Sequence, residues 1–221
     1  MSVNIEDLGT QPGRRFRNPS RFAEAMKAKK IIDRAGRLIM GVVVATVATF
    51  TVQEASWAQV ADLLHELNLT TYSRPTMPPD FNGRTADGSD LSLASLKGKV
   101  VLLNFWATWC LECRPEMPAF ERLHREFSAQ GLAVVGINAR EETSTIRKYA
   151  KELGLTFPLI SDPTGKINSA YGVIGLPTTF LIGRSGRAVA LAVGPRAWSA
   201  KPARALIQAL LAEPAGLKGT R

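Results

Sequence analysis

The sequence predicts an α/β domain built on a mixed sheet. Two valine- and leucine-rich runs, VVLLNFWA at 100–107 and LAVVGINA at 132–139, have strand length and are apolar enough to be buried on both faces. Helical patterns lie between them, and TTFLIG and RAVALAV, joined by Arg184-Ser185-Gly186, read as an antiparallel pair. Alternating strands and helices that end in a hairpin put parallel and antiparallel neighbours in one sheet.

At the amino terminus, residues 1–37 read as a polar, basic cytoplasmic segment ending in KAKKIIDRAGR. Residues 38–58 begin with the uncharged run LIMGVVVATVATFTV and end with Ser56 and Ala58 at small-x-small spacing. Basic region, short apolar run and small-residue exit follow the grammar of a secretory signal, and an uncleaved membrane anchor fits as well. In either case the basic side stays in the cytoplasm and the rest is exported, to the periplasm or its extracytoplasmic equivalent. The long polar stretch 1–25 fits a cytoplasmic tail or a start at Met26, and Arg14-Arg15 lies too far from the apolar run to act as a twin-arginine signal.

Residues 59–78 read as a linker, with a helical pattern in QVADLLHELNL and a Pro-rich SRPTMPPDFNG that is linker or edge entry. The main domain is expected over 79–214, with 215–221 a frayed tail. TADGSDLSLASLKGK predicts a small hairpin turning at Asp87-Gly88. Residues 111–129 are expected to be helical, with Met117, Phe120, Leu123 and Phe127 on one face and a kink at Pro118. Thr143 is expected to cap a helix through Leu153, FPLI (157–160) to be a strand, DPTGKINSAYGV a turn with a short helix, and 198–212 the last helix.

The formal charge of +9 divides into +4 over residues 1–58 and +5 over the remainder. No dense basic run is interleaved with aromatics, so nucleic acid is not an expected partner.

The chemistry is concentrated in FWATWCLECRPEMP (105–118), which holds Cys110 and Cys113, the only cysteines in the chain. As a staple the pair is weak, because closing so short a loop contributes about 2 kcal/mol against about 4.7 for a hundred-residue loop. As a metal site it lacks ligands: His65 and His124 are the only histidines and are not ligand-spaced. No metal or other cofactor is expected.

A redox pair explains more. A helix starting near Cys110 would aim unpaired N–H groups at that sulfur and favour its thiolate, making Cys110 the attacking sulfur. Cys113, one turn on, would resolve the mixed disulfide. Trp106 and Trp109 would shield and shape the turn. Glu116, three residues after Cys113 and on its helical face, would exchange protons with the thiols. Glu112 adds negative charge, which pushes the couple toward the reducing end. In GLPTTFLI, a cis Leu176–Pro177 bond would leave the Leu176 backbone free to pair with a substrate strand.

NFWATWC-x-x-C, the proline five residues after Cys113 and the Pro-Thr-Thr before a strand resemble the thioredoxin superfamily. The DGSDLSLASLKGK lead-in, CRPEMP and the NAREETSTIRKYAKELGLTFPLISD insert resemble its exported TlpA/ResA/CcmG-like thiol–disulfide oxidoreductases, over about 79–212. The resemblance implies a thioredoxin fold with an N-terminal β-hairpin and a central strand–helix insert, Cys110 as nucleophile, Cys113 as resolving thiol and Pro177 cis. It also implies disulfide-bearing clients, such as apocytochrome c or a copper-site oxidase subunit, and a membrane thiol electron donor. Two departures stand out. Asn104 occupies the place of the buried Asp of cytosolic thioredoxins and carries no proton, which leaves that role to Glu116, the residue matching the active-site Glu of the ResA-like branch. Leu111-Glu112 replaces a proline-containing dipeptide. The expected function is an exported reductase of client disulfides. The rivals are a disulfide-forming oxidase and a non-catalytic, peptide-binding chaperone module. A peroxidase is disfavoured because residue 107 is Ala where the peroxiredoxin motif has Thr or Ser.

Overall fold

A computed structural model describes residues 57–213. The apolar run 38–52, the Met26 start and the tail 215–221 lie outside them. In chain order the elements are α1 (57–66), β1 (Thr70–Thr76), β2 (Asn82–Arg84), β3 (Asp90–Ser92), β4 (Val100–Trp106), α2 (Glu116–Phe127), β5 (Leu132–Ala139), α3 (Thr143–Leu153), β6 (Leu159–Asp162), α4 (Lys166–Ala170), β7 (Thr178–Ile182), β8 (Ala188–Val193) and α5 (Lys201–Ala212). Six strands form one sheet in the order β1-β8-β7-β4-β5-β6, and β2–β3 form the separate hairpin expected around Asp87-Gly88. Strands β4, β5 and β6 run parallel; β7, β8 and β1 add antiparallel partners on the other side.

The two strand faces divide the core. Along β4, Val100, Leu102 and Trp106 enter one apolar cluster, while Val101, Leu103 and Phe105 enter the other. Period-two alternation sends successive side chains to opposite faces, and every residue of β4 is buried. The first face is covered by Val60 and Leu64 of α1, Met117 and Phe120 of α2, and Leu206 and Leu210 of α5. The second carries Phe81, Tyr171 and Phe180, whose rings pack against Phe105 or one another. Gly136 in β5 is a close approach, since a Cβ there would lie 2.8 Å from Trp106 Nε1 and 2.7 Å from Leu159 Cδ2.

Several boundaries differ from expectation for identifiable reasons. Residues 59–78 are not a linker. The helical pattern forms α1, and the Pro-rich stretch supplies edge strand β1, paired with β8 and interrupted between Thr71 and Thr76. An edge strand tolerates Pro75, because one side of it needs no ladder donor. Helix α2 begins at Glu116 rather than near 111. Pro115 and Pro118 cannot donate to the carbonyls of Leu111 and Arg114, so a regular ladder cannot run through them. Pro118 therefore sits in the first turn of α2, where N–H groups have no intrahelical partner, and its expected kink has no ladder to break. Thr143 is the first residue of α3, and Glu142 holds the cap position in extended conformation. Strand β6 is shifted two residues toward the carboxyl end of FPLI, and α5 starts three residues later than expected, with Pro202 in its first turn.

Candidate active site

Strand β4 delivers the chain to the carboxyl edge of the parallel strands, where it descends to α2 through three linked turns. Cys110 N–H donates to Ala107 O at 3.2 Å, Cys113 N–H to Cys110 O at 3.2 Å, and Glu116 N–H to Cys113 O at 3.0 Å. Cys110 and Cys113 are joined in a disulfide. Cys110 is 7% exposed and Cys113 fully buried, so only the first sulfur can meet another protein. The expected helix terminus at Cys110 is absent, since α2 starts six residues later. One amide is aimed at the sulfur instead: Cys113 N–H also points at Cys110 Sγ, 3.2 Å away. An N–H aimed at a sulfur favours its anionic form.

Glu116, the first residue of α2, is 4% exposed. Its Oε1 accepts the Arg196 backbone N–H at 2.7 Å, while Oε2 is buried without a hydrogen-bond partner. Burial pushes the carboxyl up to about 7. The Arg196 amide, the Trp198 indole and the Arg196 guanidinium pull the other way, and Glu112 adds to the rise. The indole acts by proximity, because its N–H makes no hydrogen bond. A carboxyl balanced near neutrality can hold or release a proton at ordinary pH, which suits it to thiol chemistry. Asn104, on β4, donates from Nδ2 to Thr179 Oγ1 at 3.0 Å and leaves Oδ1 unpaired.

The Leu176–Pro177 bond is cis. The pairing of Phe105 with Thr178 brings Pro177 to the end of β4, beside the cysteine turns. The carbonyl of Pro177 accepts Gly194 N–H at 2.8 Å, whereas the N–H and C=O of half-buried Leu176 make no backbone hydrogen bond among the described residues. Trp109 is 66% and Ile174 is 93% exposed, and Leu111 is exposed too. Trp106, by contrast, lies in the core, its ring 5.0 Å from Tyr149. With no exposed surface, it cannot touch a client.

Residues 76–190 match the AhpC/TSA family. The chain belongs to that family. Among its relatives, thioredoxin-like protein YneN of Bacillus subtilis is 47% identical over 111 residues, which is 49% of this chain and 64% of YneN. Thiol-disulfide oxidoreductase ResA of Geobacillus thermodenitrificans is 39% identical over 116 residues, 52% of this chain and 67% of ResA. The matched stretch thus spans about two-thirds of these relatives' own length. A thioredoxin-family thiol:disulfide interchange protein from Chlorobium tepidum shares the fold with TM-score 0.58 and 34% identity, covering 63% of this chain and 99% of that one. The thioredoxin fold and the kinship with ResA-like thiol–disulfide oxidoreductases are therefore as the motifs led one to expect.

One residue of this AhpC/TSA chain escaped the motif reading. Glu141, in the turn after β5, grips the segment preceding the cysteines: Oε2 accepts Thr108 N–H and Asn138 Nδ2, both at 2.7 Å, and Oε1 accepts the Thr108 hydroxyl. Thr108 and Trp109 are the corner of the turn that ends at Cys110. After the cysteines, Arg114 pairs with Glu152 and lies over the Tyr149 ring at 5.5 Å. The β5–α3 segment thus holds the motif on both sides. The signal in the sequence was Asn138 three residues before Glu141 at a strand end, where an Asn side chain accepts the amide that closes the turn. His124 packs on Phe157, and among the described residues no three metal-binding side chains cluster.

Proposed function

We propose that this chain is an exported thiol–disulfide oxidoreductase working mainly as a reductase. The observation that carries the proposal is the asymmetric pair: a Cys110 that keeps slight exposure, bonded to a fully buried Cys113 and served by one N–H. In the reduced protein, Cys110 thiolate attacks one sulfur of a client disulfide. The client S–S bond breaks as the Cys110–client bond forms, and the electron pair leaves on the client's other sulfur. Cys113 thiolate then attacks Cys110 Sγ, which reforms the pair and releases the second client thiolate. Two electrons have passed to the client, with two protons once its thiols are neutral. Glu116 takes the Cys113 proton as that sulfur becomes the nucleophile. A membrane thiol donor returns the electrons.

Trp109, Leu111, Ile174 and Leu176 give the client an apolar landing around Cys110, and the unpaired Leu176 backbone offers it hydrogen bonds. The clients fit the type implied by the ResA-like relatives, with paired cysteines of apocytochrome c or a copper-site oxidase subunit as candidates. Carboxylates at Glu112 and Glu116 favour the reducing direction, because they disfavour the thiolate that stabilises a strong oxidant's reduced form. Export rests on residues 38–58 as signal or anchor; among the described residues no helix is long and apolar enough to cross a membrane.

The reduction potential tests the direction. A value near about −270 mV supports a reductase, and one near about −120 mV makes the protein a disulfide-forming oxidase. Cys110→Ser tests the chemistry: it should abolish reduction of insulin disulfides and fail to restore a strain lacking the protein. A functional Cys110→Ser protein would leave only the peptide-binding module. Amino-terminal analysis of membrane and soluble fractions tests cleavage at Ala58, with intact protein confined to membranes meaning an anchor.

A further inference from the structure

We propose that Arg196 is a positioning residue for Glu116, and that its brace on Asn68 makes the α1–β1 extension part of the active site. The inference rests on Glu116 being the proton-handling group of the cysteine pair. Its basis is the loop after β8, where three carbonyls converge. Arg196 Nη1 donates to Val193 O at 3.3 Å, to Gly194 O at 3.3 Å and to Pro195 O at 2.9 Å. Its Nε and Nη2 reach across to Asn68 O at 3.2 and 2.9 Å. The same residue's backbone N–H holds Glu116 Oε1 at 2.7 Å.

A guanidinium is suited to this place. Its rigid fork of donors can satisfy several carbonyls at once, whereas an ammonium offers a compact point charge on a flexible stem. The loop is held from one more side by Gly194 N–H on Pro177 O at 2.8 Å, and Trp198 N–H on Arg196 O at 2.9 Å closes its own turn. One short segment therefore joins the cis-proline loop, the buried carboxylate and the extension. The extension is itself anchored, since Val60, Leu64, Leu67 and Leu69 are all buried in the core cluster. Asn68 lies between two of them in left-handed conformation, φ 51°, which presents its carbonyl to Arg196.

Arg196 acts on Glu116 in two ways of the same sign. Its side chain keeps the loop amide at Oε1, and its positive charge favours the carboxylate. The other charged group acting on Glu116 is Glu112, which opposes it from the cysteine turn; the cysteines are uncharged while bonded. Loss of Arg196 should therefore raise the pH at which Glu116 ionises.

The test is a carbon-13 NMR titration of the Glu side-chain carboxyls in the oxidised, full-length protein, with Glu116→Gln assigning the resonance. Wild type should show a carboxyl titrating near pH 7 that Glu116→Gln removes. Arg196→Gln should move that midpoint up by roughly half a unit to one unit, and Arg196→Lys, which keeps charge but not the fork, by less. Amide exchange at Asn68 and Leu69 should accelerate in Arg196→Gln, a readout of the brace itself. If wild type has no such carboxyl, the reading of Glu116 and this inference fall together. If the carboxyl is there and Arg196→Gln leaves its midpoint unchanged, this inference alone is overturned. Unchanged exchange at Asn68 and Leu69 removes the extension from the site. Should Arg196→Gln not fold, Arg196→Lys carries the same test, and an unchanged midpoint there overturns the positioning role.

Discussion

Glu116 lies in a site where burial opposes its charge and one amide offsets only part of the cost. The folded chain holds its proton up to about 7, against 4.5 for an ordinary glutamate. Because the native state binds this proton more tightly than the unfolded state, the stability it contributes is full below about pH 4.5. It is lost as pH rises through 7, by roughly 3 kcal/mol at most. Denaturant unfolding of the oxidised protein between pH 4.5 and 8 should show that slope in wild type and a flatter one in Glu116→Gln. The reduced Glu116→Gln protein should also form the Cys110 thiolate more easily and reduce clients more slowly near neutral pH, as read from iodoacetamide rates and insulin turnover. Glu141 acts differently, by holding Thr108 in place. Glu141→Ala leaves the Thr108 amide and Asn138 Nδ2 without acceptors and should cost about 1–3 kcal/mol. It should also change the alkylation rate of Cys110. Glu141→Gln can accept from both N–H groups and donate to the Thr108 hydroxyl, so it should recover most of the loss in both assays.

At the scale of elements, β4, β5, β7 and β8 were legible because their apolar runs are continuous or alternate with strand period. Burial on both faces leaves no polar positions to confuse the period. The start of α2 was not, because Met117, Phe120, Leu123 and Phe127 fix a helical face without saying where its ladder begins. Pro115 and Pro118 decide that, and with it the turn geometry at Cys110. The fit between β5 and Trp106 was equally hidden, since it depends on which residue of a neighbouring strand faces the indole. Gly136→Ala would drive a methyl into Trp106 and Leu159 and should destabilise the fold by about 1–3 kcal/mol. Urea unfolding followed by tryptophan fluorescence checks this; an unchanged midpoint would mean that the indole has room to move.

Across the whole molecule, the largest departure from the sequence reading is at the amino-terminal side of the domain. A linker was expected at 59–78; α1 joins the core and β1 covers the edge of β8. Uncovered, β8 would present unpaired backbone groups and an apolar edge to other chains. A chain starting at residue 79 should therefore unfold at lower denaturant than one starting at residue 57 and should self-associate, as seen by light scattering. Equal midpoints and a monomeric short form would show that the core does not need the extension. By itself the sequence determined the candidate redox pair, the mixed sheet and the candidate proton carrier, because spacing within one turn and strand period are local properties. Only the tertiary structure decided what those groups touch. Arg196 meets Glu116 across 80 residues and Glu141 meets Thr108 across 33. Such contacts are set by how the sheet orders its strands, and no local pattern encodes which distant amide will arrive at a buried carboxylate.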